Sequence, residues 1–159
     1  MPKPSQAPGK KTRSPESGRD AILDVAEQLF AERGLDAVSL RTINTEAGYS
    51  VAALHYHFGA RDGLIKALLA RAQPPMLERR ERMLQILRDS GNPPSVHGIA
   101  SALVMPLAAS VLDDPVRGSR TLRFLARLYF DRSTWMLSTL DDSLEVFVPL
   151  LRRALPHID

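Results

Sequence analysis

Small and hydrogen-bonding residues follow one another from Ser50 to His57: Ser50, Val51, Ala52, Ala53, Leu54, His55, Tyr56 and His57. A hydroxyl, two imidazoles and a phenol supply donors and acceptors, while Val51, Ala52 and Ala53 supply methyl groups with little bulk. That mixture suits contact with base edges and phosphates. Alanine and valine methyls can touch the thymine methyl, and Ser50 can bond a phosphate or a base. Arg41 and Thr42 fall in the first turn of a preceding short helix, whose positive end favours phosphate. Arg61 lies just past the Ser50–His57 stretch, at the start of the next helix, where it also could meet a phosphate.

The same residue types do not assemble a catalytic centre. Asp113-Asp114 and Asp141-Asp142 are adjacent pairs, and neighbours on a helix do not face each other. The serines lack a fixed base partner, and no glycine-rich phosphate loop is present. His55 and His57 diverge by about 200° on a helix, so they do not address one metal ion. The chain has no cysteine. The expectation is a protein that is not an enzyme and needs no metal or cofactor.

The elements that must position these residues are helices. Ile22, Val25, Ala26, Leu29 and Phe30 repeat at helical spacing, with Ser17 or Gly18 as cap and Gly34 as the residue that ends the helix. Ser39 caps a second helix with Leu40, Ile43 and Ala47 on its apolar face. Ala47-Gly48 makes a tight turn, and Ser50 caps a third helix in which Leu54 and Phe58 point inward. Helices this short must pack on one another to be stable. A fourth helix starts near Asp62, with Pro74-Pro75 expected to break or kink it. Gly91-Asn92-Pro93-Pro94 reads as a loop. Three further helical segments span roughly 96–112, 118–131 and 135–154. The first is almost wholly apolar and reads as a buried helix kinked at Pro106. Strand signals are weak throughout, so the fold class is all-α.

Charge is concentrated at one end. Residues 1–19 hold five basic residues against Glu16 alone, whereas the rest of the chain holds sixteen basic and seventeen acidic residues. Residues 1–17, rich in proline, read as a disordered basic arm that can reach phosphates or a minor groove. No run of eighteen uninterrupted apolar residues occurs, so no membrane-spanning helix or membrane partner is expected. No apolar signal core leads the chain, and a cytoplasmic location fits.

These residues resemble the TetR family of transcriptional regulators. The resemblance rests on Ile22-Leu23, Ala26, Leu29-Phe30, Gly34, Ala47-Gly48, Leu54, His57-Phe58 and Arg61, and covers about residues 19–70. Asn44 stands where the family usually has alanine, Tyr49 where it has an aliphatic residue, and His55 where a phosphate-contacting tyrosine is common. The resemblance implies a three-helix helix-turn-helix head at 18–60 on a helical effector-binding and dimerisation body at 61–159. Family members usually add two further helices that pair across a two-fold axis, and the body here is expected to lack them. The implied function is a homodimeric repressor on a palindromic double-stranded operator, released by a small apolar or amphipathic effector.

Met105, Phe124, Tyr129, Trp135 and Met136 are the candidates to line an effector pocket between the body helices; their plain alternative is core packing. Arg120, Arg123 and Arg127 share one helix face, ordinarily a solvated one and less commonly a site for an acidic partner. His97 reads as a surface histidine. Two alternatives to the repressor are a helical ligand-binding or protein-interaction module without specific DNA binding, and an architectural binder driven by the basic arm.

Overall fold

The apolar stripe of the first segment does what its spacing predicts. In a computed structural model, which describes residues 15–90, 93–130 and 145–156, α1 spans Pro15–Arg33. Ile22, Leu23, Ala26, Leu29 and Phe30 are buried along it. The helix begins before the expected cap at Ser17 or Gly18. Pro15 takes its first position, where a missing N–H costs nothing. Pro15–Ser17 therefore belong to α1, and the rest of the basic arm lies outside the described residues.

The helices that follow are α2 (Leu40–Ala47), α3 (Val51–Phe58), α4 (Arg61–Asp89), α5 (Val96–Asp113), α6 (Pro115–Phe130) and α7 (Val148–Ala154). No strand occurs among the described residues. One apolar core joins the head to the body: Phe30 and Ile43, Leu54 and Phe58, and Leu64 and Leu68 pack with Phe124 and Leu128 of α6. Phe30 and Phe124 stack at 6.3 Å between ring centroids. A second, smaller core joins Leu84 of α4, Ile99 and Ala102 of α5, and Phe147 and Leu150 around α7. Arg80 of α4 lies over the Phe147 ring at 5.5 Å. Its burial there lowers its pKa, but a guanidinium remains charged.

Several expectations are corrected. Helix α4 runs unbroken through Pro74 and Pro75. The two prolines remove only two donors, leaving the carbonyls of Ala70 and Arg71 without helical partners, and packing on both sides holds the helix. Helix α5 contains Pro106 within a single segment, as expected, but it is not a buried helix: Ile99, Ala102 and Pro106 are buried, whereas Val96, Val104, Met105 and Leu112 are exposed. By length and a mean hydropathy of 1.5 it could cross a membrane, because averaging absorbs His97, two serines and Asp113. It packs instead along α4 and α6. A turn at 146–147 precedes α7, so no continuous helix reaches residue 154. Pro149 sits at the second position of α7, where it suits a helix start.

Two contacts set the body's geometry. Gly118 of α6 lies so close to α5 that a Cβ would sit 2.1 Å from the Ser110 carbonyl oxygen. Asp114, in the one-residue joint, accepts the backbone N–H groups of Val116 and Arg117 at 3.1 and 2.9 Å. At the head–body boundary Glu27 of α1 is buried. It accepts from the Arg71 guanidinium of α4 and from the Thr121 hydroxyl of α6. Arg71 also reaches Asp24 at 2.7 Å.

Candidate nucleic-acid interface

Local hydrogen bonds build the two-helix element. Ser39 Oγ accepts the Thr42 N–H at 3.0 Å and lies 2.8 Å from Thr42 Oγ1. Ser50 Oγ accepts the Ala53 N–H at 3.1 Å. Both serines thus satisfy donors that a helix start leaves open. Between the helices Gly48 adopts φ 70° and ψ 29°, a left-handed conformation that a side chain would strain. Its N–H points back to the carbonyls at the end of α2. The chain then turns sharply enough for the Tyr49 N–H to bond the Asn44 carbonyl at 3.0 Å.

These bonds leave α3 with two faces. Leu54 and Phe58 are buried against the head core. Val51, Ala52, His55 and Tyr56 are exposed, Tyr56 at 83%, while Ala53 and His57 are half-buried. His55 Nδ1 contacts the Gly59 carbonyl oxygen. A carbonyl only accepts, so Nδ1 carries a proton in this contact, and Nε2 is the ring nitrogen left without a contact to the backbone. The Tyr56 and His57 rings meet edge to face at 5.2 Å. Ser50 keeps its own hydroxyl proton free to donate. Arg41 is exposed and Thr42 half-buried at the start of α2. On α3 the small side chain of Ala52 and the phenol of Tyr56 lie on the side away from Leu54 and Phe58.

Arg61 is corrected. Its guanidinium donates to the Val38 carbonyl at 2.6 Å and to the Leu35 carbonyl, and it lies over the Phe30 ring at 5.4 Å. It ties the start of α4 to the loop between α1 and α2. Two loop carbonyls and an aromatic face hold the guanidinium inward, so Arg61 braces the head.

Asn44 is the costly residue of this element. It is only 3% exposed, and its Oδ1 and Nδ2 both lack a hydrogen-bond partner. Asn44→Ala is expected to raise stability by about 1 kcal/mol, since an unsatisfied buried amide costs about 1–3 kcal/mol and alanine is the better helix former; the space left behind offsets part of the gain. Urea denaturation checks this. A loss of stability instead would mean that the amide has a bonding partner in solution.

The described members of the expected effector lining do not converge. Phe124 is fully buried in the shared core, whereas Met105 and Tyr129 are 45% and 56% exposed on separate helices. Trp135 and Met136 lie outside the described residues. A cavity of about 260 Å³ does open between α1, α4, α5 and α6, but its lining includes the charged side chains of Glu27, Arg71, Arg79, Asp113 and Arg117 beside the Thr121 hydroxyl. His97 is exposed. Among the described residues no three histidine, aspartate or glutamate side chains converge as a metal site would require.

Known proteins share the head. The family profile described as bacterial regulatory proteins, tetR family, matches residues 22–68. The chain is 34% identical over 97 residues to the HTH-type transcriptional repressor BepR of Brucella suis, a match covering 60% of this chain and 44% of that protein. It is 36% identical over 62 residues to the repressor KstR2 of Rhodococcus jostii, covering 39% and 30% of the two chains. With the repressor AcnR of Corynebacterium glutamicum it shares 30% identity over 77 residues, covering 48% and 37%. The matched stretch thus spans less than half the length of each of these relatives. The matched residues begin in α1, contain the whole of α2 and α3 and end in α4, so the part of this chain that is similar to the tetR family of bacterial regulatory proteins is its helix-turn-helix head.

Proposed function

We propose that the chain reads double-stranded DNA as a homodimeric transcriptional repressor. The observation that carries this reading is α3: a Ser50-capped helix anchored by Leu54 and Phe58, with Val51, Ala52, His55 and Tyr56 exposed. In this reading the N-terminal end of α3 enters a major groove. Val51, Ala52 and Ala53 meet thymine methyls, and His55 meets a base edge through Nε2. Ser50, Arg41, Thr42, Tyr56 and His57 hold the phosphates on either side. Arg61 does not contact DNA but keeps α4 and the head in register.

One such helix touches few base pairs, so useful specificity requires two half-sites held at fixed spacing. Hence the homodimer and the palindromic operator. Release by a small-molecule effector in the body completes the proposal, as does a cytoplasmic location beside the DNA. Selection of bound sequences from a random DNA pool tests it. The expected result is a palindromic consensus with half-sites about ten base pairs apart. Equal affinity for selected and scrambled duplexes across a salt titration would sink it.

A further inference from the structure

One helix face carries charge that nothing around it neutralises. Arg120, Arg123 and Arg127 project from the same side of α6 over about 10 Å of helix. None of them has an ion pair or hydrogen bond among the described residues. Arg120 Nε is moreover shut off from water without a partner. Like charges at this spacing repel, and a buried donor left unbonded costs free energy. A merely solvated face would show neither an enclosed guanidinium nitrogen nor a groove.

A groove is present. Two adjoining cavities run between α1 and α6 and share Ala31 and Arg123. The first, about 360 Å³, is bounded by Gln28 and Glu32 of α1 with Val116 and Arg120 of α6. The second, about 290 Å³, is bounded by Ala126, Arg127 and the exposed ring of Phe130. The one carboxylate at the rim, Glu32, is held by the Gln28 amide at 3.0 Å. The groove is therefore cationic in the middle and apolar at the Phe130 end.

We infer that this groove is a binding site for an amphipathic oxyanion, an organic phosphate or carboxylate with an apolar tail. The arginines take the oxygens, for which a planar guanidinium fork is well matched. The tail lies along Ala31, Ala126 and Phe130. The site bridges a head helix and a body helix, so its occupant holds α1 and α6 together. It is separate from the outward face of α3 and does not depend on DNA binding.

Calorimetric titration of the full chain, without DNA, tests the site. The probes are decyl phosphate and decanoate, each below its micelle concentration, and inorganic pyrophosphate, which has no tail. At least one tailed probe is expected to bind one to one, more tightly than pyrophosphate. Arg123→Gln is expected to weaken that binding about tenfold or more, the effect of losing a charged hydrogen bond. Arg82→Gln, which removes an equal charge from the exposed face of α4, is expected to leave it unchanged. Circular dichroism melting confirms that both variants are folded. The site is overturned if no tailed probe saturates, if pyrophosphate binds as tightly as the tailed probes, or if Arg82→Gln weakens binding as much as Arg123→Gln.

Discussion

Phe124→Ala is expected to cost the chain about 3–5 kcal/mol of stability, the range for truncating a fully buried phenylalanine. Phe124 is 0% exposed and stacks on Phe30, itself 0% exposed. Its ring is the main apolar link from α6 to α1. Truncation leaves a cavity facing Phe30, and Phe30 is also the ring beneath the Arg61 guanidinium. The loss should therefore reach the head. A domain of this size has a total stability of about 5–15 kcal/mol, so the variant is expected to be partly unfolded near 37 °C. Urea denaturation followed by circular dichroism reads the effect. Phe124→Leu, which keeps most of the volume, is expected to cost about 1.5 kcal/mol or less. If alanine costs no more than leucine, Phe124 lines a space that was already open.

That residue also marks how far local pattern carries. Helix α1, the caps Ser39 and Ser50 and the turn at Gly48 are all legible, because each is decided within four residues by periodicity, a hydroxyl or a missing Cβ. The exposed face of α3 is legible for the same reason: once Leu54 and Phe58 are placed inward, the helix sends Ala52 and Tyr56 to the opposite side, whereas Val51 shares the inward stripe by spacing and is exposed at the first position of the helix. Phe124 and Met105 look alike in sequence, large and apolar on apolar helices. What separates a core ring from an exposed side chain is the packing of α6 on α1, which no local spacing reports. Arg61 fails for a related reason. Its partners are the carbonyls of Leu35 and Val38, more than twenty residues earlier, and a backbone carbonyl has no signature in the residue type. The prolines of α4 do not end the helix, because a local penalty of a few kcal/mol is outweighed by core contacts made before and after them.

The least legible feature yields the second large effect. Arg71→Ala is expected to destabilise the chain by about 3–5 kcal/mol, because it strands the Glu27 carboxylate in the interior without its cation. Glu27 is 3% exposed, and its partners Arg71 and Thr121 lie 44 and 94 residues away. Asp24→Ala removes the other half of the Arg71 fork, but Asp24 has a side chain 56% exposed, so that change is expected to cost less than about 1 kcal/mol. Replacing Glu27 and Arg71 together by leucine is expected to recover most of the loss, since apolar packing can stand in for a buried ion pair. Urea denaturation of the four proteins, including the wild type, separates a stranded charge from lost packing. If the double variant is as unstable as Arg71→Ala, packing explains the loss and the ion pair does not. The location gives the pair its functional weight. Glu27 is on α1, Arg71 on α4 and Thr121 on α6, so one carboxylate fixes the relative placement of three helices. In the proposed repressor, an effector that shifts α6 must break the Thr121 bond to Glu27 or drag α1 with it. Either outcome moves the base of the head and changes where the two copies of α3 sit on DNA. A network that is merely stabilising would leave operator affinity unchanged once stability is restored, so the leucine pair should fold well yet bind its selected operator with altered affinity.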